Sequence, residues 1–124
     1  MRLTALRWLL AATFAVLLAG APLAAVAATH QVDIRNFAFV PPSLQIAVGD
    51  TVRWTNQDSF PHTSTSTAGT WDSGTLNPGE SFPRTFTTAG TFDYFCSFHP
   101  TMQGTITVLG PPTPAPTPAP TPAP

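Results

Sequence analysis

The segment Cys96-Ser97-Phe98-His99-Pro100-Thr101-Met102 offers a thiol, an imidazole and a thioether at the spacing C-x2-H-x2-M. It directly follows the apolar run Thr91-Phe92-Asp93-Tyr94-Phe95. Cys96 is the only cysteine, and Met102 is the only methionine besides Met1. Soft sulfur together with imidazole is a donor set that favours copper, and a His2Cys site with a weak, long axial Met is its electron-transfer form. The segment itself holds one histidine. A second is available from Phe60-Pro61-His62-Thr63, where His62 stands 34 residues before Cys96.

The 124 residues leave room for one domain. Residues 1–28 read as an export signal, with Arg2 and Arg7 in a basic n-region and Trp8 to Leu18 as the apolar stretch. Ala25-Val26-Ala27 supplies the A-x-A cleavage pattern. The alternative is a retained anchor, since about 20 apolar residues suffice to span a bilayer. Pro22 and the alanine-rich end favour cleavage, and no cysteine near that end supports a lipid anchor. The mature chain is therefore expected to be exported to the periplasm, without stable membrane insertion. An extracellular form, or one held by an uncleaved signal, are the alternatives.

Cleavage also removes Arg2 and Arg7, leaving three arginines against six acidic residues, a net charge of about −3 with no lysine. Such a chain has no electrostatic footprint for nucleic acid. A lone cysteine in an exported protein is an intermolecular bridge, a reactive thiol, an inert buried residue or a metal ligand. Inert burial is the usual outcome, but His99 and Met102 beside it turn Cys96 toward ligation.

The mature chain reads as short strands separated by turns. Val32 and Ile34, then Phe37 and Phe39, alternate with polar or small residues, with a phase slip near Asn36 that suggests a bulge. Pro41-Pro42 ends that strand. Leu44, Ile46 and Val48 alternate up to Gly49-Asp50, which suits a two-residue hairpin turn into Val52 and Trp54. Thr63 to Thr67 fits either a solvated edge strand or a loop, and Asn77-Pro78-Gly79-Glu80 suits a type II turn. Phe82 and Phe86 flank Pro83, which confines that strand to an edge or a bulge. Phe92, Tyr94 and Cys96 share one face, and Ile106 and Val108 finish the last strand. About seven or eight short strands with no helical period after the leader predict an all-β sandwich.

The residues of residues 31–109 resemble the cupredoxin pattern. The stretches that carry the resemblance are Phe37-Ala38-Phe39, Pro42, Leu44, Gly49-Asp50-Thr51-Val52, Trp54 and Asn56, then Pro61-His62-Thr63. Asp72-Ser73-Gly74, Leu76, Pro78-Gly79, Phe82, Gly90 to Cys96 and His99 to Gly104 continue it. The short C-x2-H-x2-M loop most resembles the amicyanin branch of the plastocyanin-like group. The resemblance implies a Greek-key β-sandwich over residues 29–109 and one copper ion in a type 1 site. His62, Cys96 and His99 would form the trigonal plane and Met102 the long axial contact. The implied function is single-electron transport between redox proteins by Cu(II)/Cu(I) cycling, in a monomer. The edge of His99 would be the electron port, with Phe60, Phe98 and Pro100 as an apolar docking patch or as loop packing. One position departs from the pattern: Thr63 stands where plastocyanin and amicyanin carry an asparagine that ties the ligand loops, and its hydroxyl is expected to replace part of that link.

Rival functions use the same residues. A periplasmic copper carrier or store would need the same four ligands. An enzyme is not expected, because multicopper catalysis needs further histidines and only His30 is left. After cleavage at Ala27, His30 would stand third in the chain, where a square-planar nitrogen site suits Cu(II) or Ni(II); an ordinary first-strand histidine is the preferred reading. A Cys96–His99 hydrolase lacks a third supporting group. Zinc is disfavoured, because a thioether is a poor zinc ligand. The tail, residues 110–124, repeats Thr-Pro-Ala-Pro and should adopt polyproline II. A solvated low-complexity end is preferred over a spacer or a glycosylated stalk.

Overall fold

Alternation of buried and exposed residues at period two runs through several of the strands, as in β1, Thr29–Arg35, where Val32 and Ile34 turn inward. The computed structural model describes residues 26–123, so the expected leader lies outside them except for residues 26–28. After β1 come β2 Ala38–Val40, β3 Ser43–Ala47, β4 Thr51–Asn56 and β5 Thr65–Ser66. Then follow β6 Ser81–Thr85, β7 Gly90–Phe95 and β8 Gln103–Leu109, with no helix among the described residues. The fold is the all-β architecture expected, with eight strands in two sheets ordered β2-β1-β4-β6 and β3-β8-β7-β5.

Two neighbouring pairs, β1 with β4 and β3 with β8, are parallel; the others are antiparallel. Parallel neighbours cannot be joined by a tight hairpin, so the chain crosses between the sheets. This corrects one expectation. Gly49-Asp50 does form a turn, with Gly49 at φ 96°, but it hands the chain from β3 in one sheet to β4 in the other and closes no hairpin. The phase slip near Asn36 is likewise a turn and not a bulge. Arg35 pairs with Ala38, leaving Asn36 and Phe37 as a two-residue loop at φ 52° and 56°, the positive values a type I′ turn demands. Asparagine tolerates that region, whereas for phenylalanine it costs about 1–2 kcal/mol.

Other local expectations match. Glu80 N–H donates to Asn77 O at 3.0 Å and Gly79 sits at φ 85°, as a type II turn requires. Pro83 lies in β6 at the edge of its sheet. Thr65–Ser66 is an edge strand against β7, although Ser64 and Ser66 are buried.

The core lies between the sheets. Val32, Ile34, Val52 and Trp54 come from one side, Ile46, Tyr94, Ile106 and Val108 from the other, and Cys96 and Met102 join the same cluster. Trp54 meets Tyr94 edge-on at 5.4 Å, and Trp71 meets Phe86 likewise at 5.4 Å, pairs worth about 0.5–1.5 kcal/mol each beyond burial. Tyr94 pairs across the ladder with Gly104, and a Cβ there would clash with the Cζ and hydroxyl oxygen of the tyrosine. Burial pushes the Tyr94 hydroxyl up to about 12.

The start of the domain is tied down by Asp50. Its carboxylate accepts from Ala28 N–H at 2.9 Å and Ala47 N–H at 3.0 Å, and pairs with His30 Nε2 at 2.8 Å. The Ala28 amide first, then His30 and the Ala47 amide, lower its pKa to about 2. His30 is thus a first-strand residue in register with Val52. Chelation by the backbone of Thr29 and His30 would require β1 to leave its sheet.

Candidate metal centre

The C-x2-H-x2-M spacing acquires its meaning from three backbone hydrogen bonds. His99 N–H donates to Cys96 O at 3.2 Å, Met102 N–H donates to His99 O at 2.8 Å, and Cys96 N–H donates to Met102 O at 3.1 Å. Two residues between successive candidate donors suit these i to i+3 turns, and the last bond closes the loop between β7 and β8. Cys96 follows the inward face of β7, so its thiol is fully buried, and Met102 is buried at the other end of the loop.

His62 arrives from the connection between β4 and β5. It bridges Leu76 in both directions, with His62 N–H to Leu76 O at 3.1 Å and Leu76 N–H to His62 O at 2.8 Å. Asn56, fully buried at the end of β4, organises this connection. Its Nδ2 donates to Phe60 O at 2.7 Å and Leu76 O at 2.8 Å, and its Oδ1 accepts Asp58 N–H at 2.9 Å. Both amide protons and the carbonyl are therefore used. Pairing of Thr65 with Phe95 then sets this connection beside Cys96.

The structure brings His62, Cys96 and His99 together, with ligand atoms all within 4.8 Å of one another. Cys96 Sγ lies 3.6 Å from His62 Nδ1 and 3.7 Å from His99 Nδ1. Bonds of ~2.0 Å to nitrogen and ~2.3 Å to sulfur, opened to about 120°, separate the two donors by about 3.7 Å, so the triangle fits a single first-row ion. Two imidazoles, one thiolate and no carboxylate in the triangle suit copper.

Two of the three donors, His62 and Cys96, are oriented by hydrogen bonds with neighbours. His62 Nε2 meets Asp58 Oδ2 at 2.9 Å, which assigns the proton to Nε2 and leaves the Nδ1 lone pair facing the triangle. Burial raises the Asp58 pKa, but the amides of Phe37 and Asn36 and the His62 ring outweigh it, so the net shift is downward. Thr63 N–H donates to Cys96 Sγ at 3.3 Å. The Thr63 hydroxyl accepts Ser97 N–H at 2.8 Å and pairs with Thr65 Oγ1 at 2.9 Å, while Thr65 Oγ1 reaches Ser97 Oγ at 3.0 Å. Thr63 therefore makes part of the link between the ligand loops, as expected from its hydroxyl, and Thr65 supplies the rest.

Three contributors were missed in the sequence. Asp58 stands four residues before His62 in an irregular connection, where no periodicity marks the relation. The organising part played by Asn56 depends on contacts up to 20 residues away. Phe37 looked like one more strand residue, but its ring packs on both imidazoles, edge-on to His62 at 5.4 Å and to His99 at 5.0 Å. The positive φ that puts it there has no signature in a phenylalanine.

A family model for the cupredoxin-like domain matches residues 6–108. The chain belongs to the cupredoxin family. Amicyanin of Paracoccus denitrificans is 38% identical over 82 residues, covering 62% of this chain and 63% of its own length. Plastocyanin of Scenedesmus fuscus is 42% identical over 89 residues, covering 61% of this chain and 91% of its own length. Among solved structures, a mutant of amicyanin in the Cu(I) form superposes with a TM-score of 0.63 at 34% identity, over 65% of this chain and 82% of that one. A purple cupredoxin from Nitrosopumilus maritimus gives 0.60 at 36% identity, over 64% of this chain and 99% of its own. These cupredoxins share with the chain its two-sheet fold.

Proposed function

We propose that this cupredoxin carries single electrons between redox proteins through one type 1 copper ion that His62, Cys96, His99 and Met102 would hold. The observation that carries the reading is the triangle of His62 Nδ1, Cys96 Sγ and His99 Nδ1, with Thr63 N–H aimed at the sulfur. When bound, copper supplies a one-electron Cu(II)/Cu(I) couple.

The residues of the chain hold that site still. Asp58 and the Leu76 bridge pin His62, the Thr63 amide and β7 pin Cys96, and three backbone bonds clamp the loop from Cys96 to Met102. Cu(I) and Cu(II) prefer different surroundings, and a site fixed from two loops in this way accommodates both with little movement. The Thr63 N–H bond and the apolar walls tune the sulfur and limit water. His99 is only half-buried, and Phe37, Phe60 and Phe98 are exposed large apolar residues, with Phe37 5.0 Å from His99 and 5.3 Å from Phe60. The edge of His99 serves as the port, and these rings form the docking patch for a redox partner. Residues 1–28 direct export to the periplasm, 29–109 form the copper domain, and 110–124 form a solvated polyproline tail.

The test against a copper carrier is electron self-exchange, measured by NMR line broadening in mixed Cu(I) and Cu(II) samples. The proposal expects fast exchange with unchanged copper content. Negligible exchange, together with ready copper transfer to an apo acceptor, would replace the electron shuttle by a carrier.

A further inference from the structure

Asp58 stands just past the end of the β1–β4 ladder, where Ile34 pairs with Asn56, and its carboxylate ties the turn after β1 to His62. Its Oδ1 accepts Asn36 N–H at 2.6 Å, and its Oδ2 accepts Phe37 N–H at 3.0 Å while holding His62 Nε2 at 2.9 Å. The Asn36-Phe37 turn needs such an anchor, since both residues sit at positive φ and Phe37 is ill suited to it. Once the turn is held, the Phe37 ring packs edge-on against His99 at 5.0 Å and against His62 at 5.4 Å. The two imidazoles differ in what else fixes them. His62 has a carboxylate on its remote nitrogen, whereas among the described residues the ring of His99 has a hydrogen bond only through Nδ1 to Cys96 Sγ.

Resting on the copper reading above, we propose that Asp58 is a positioning residue that holds Phe37 as an aromatic cap across both histidine ligands. The cap restrains the ring of His99 and restricts access of outside ligands to the metal. Strain at a bulky residue persists only where its surroundings over-determine it, and such positions cluster at functional sites. Here the carboxylate that orients one ligand also stabilises the strained turn whose ring restrains the other.

The test is a double-mutant cycle on the copper-loaded protein, reading the rate at which a Cu(I) chelator strips the metal. Phe37→Ala and Asp58→Ala should each speed removal by about 10–100-fold, the usual range for loss of a partner around metal ligands. Because Asp58 acts partly through Phe37, the double variant should strip no faster than Asp58→Ala alone. Rates that multiply would mean that the two residues act independently and would overturn the proposal. A second measurement uses the metal-free protein: amide hydrogen exchange at Asn36 and Phe37 should accelerate in Asp58→Ala, with β4 and β7 still protected. Unchanged exchange at the turn would also overturn it. Should Asp58→Ala fail to fold, Asp58→Asn and Phe37→Leu complete the same cycle with the same two outcomes. Failure of the wild-type chain to form a thiolate–copper site would defeat the proposed function instead, and the metal-free exchange would still decide whether Asp58 holds the turn.

Discussion

Replacing Asn56 with alanine should damage the domain strongly, because the side chain is fully buried and its hydrogen-bonding groups are all used. Three hydrogen bonds disappear: those to Phe60 O, to Leu76 O and from Asp58 N–H. At about 1 kcal/mol net for each bond, the loss is about 3 kcal/mol. Leu76 O is partly protected from this loss, since it also accepts His62 N–H. For a domain near this size, 1 kcal/mol moves the melting temperature by roughly 4–8 °C, so the metal-free Asn56→Ala protein should melt at least about 12 °C lower. Asn56→Asp is the sharper comparison. It keeps the acceptor for Asp58 N–H and nearly the same shape, but sets a carboxylate oxygen against the carbonyls of Phe60 and Leu76. At neutral pH it should melt below Asn56→Ala, despite being the more conservative change. Melting followed by circular dichroism on both metal-free variants decides the matter. A fall of less than about 4 °C for Asn56→Ala, or an aspartate variant more stable than the alanine one, would refute the reasoning.

Thr63→Val keeps the amide bond to Cys96 Sγ but leaves Ser97 N–H without its acceptor; it should cost about 1 kcal/mol and speed hydrogen exchange at Ser97, which Thr63→Ser should not do. Gly104→Ala drives a methyl against the Cζ and hydroxyl of Tyr94 and should destabilise by about 1–3 kcal/mol through overpacking, read as a lower midpoint in urea. Asp50, held near 2 in the folded chain against an ordinary value of 3.8, contributes stability that is present above about pH 4 and lost as the pH falls toward 2. In Asp50→Asn that acid-sensitive portion of the stability should vanish, so the melting temperature should vary less between pH 5 and 2 than in the wild type.

Much of the architecture was legible because strand periodicity is local. Val32/Ile34, Ile46, Val52/Trp54 and Ile106/Val108 announce their inward faces without reference to anything distant. The turns of the loop after β7 were legible for a similar reason, since Cys96, His99 and Met102 are spaced by the backbone bonds that join them. Strand partners were not legible. Gly49-Asp50 has the composition of a hairpin turn, yet β3 and β4 lie in different sheets, each paired with a parallel neighbour, β8 and β1, that is distant in the sequence. The Asn36-Phe37 turn was missed because its usual signature places glycine second. Asp58, 21 residues from Phe37, supplies the stabilisation that glycine would otherwise make unnecessary. Thr63 shows the same limit: its own hydroxyl was visible, but the part played by the hydroxyl of Thr65 depends on where Ser97 lies. Contacts between ligand loops are set by the sandwich as a whole.

The central claim is that His62, Cys96 and His99 bind copper through the thiolate. Its most direct test is the visible and EPR spectrum of the mature protein after one equivalent of Cu(II). The account predicts an intense thiolate-to-copper band with narrow copper hyperfine splitting, both abolished in Cys96→Ala. A weak, nitrogen-type spectrum that survives Cys96→Ala would contradict it and place the copper elsewhere, leaving the fold without the proposed function.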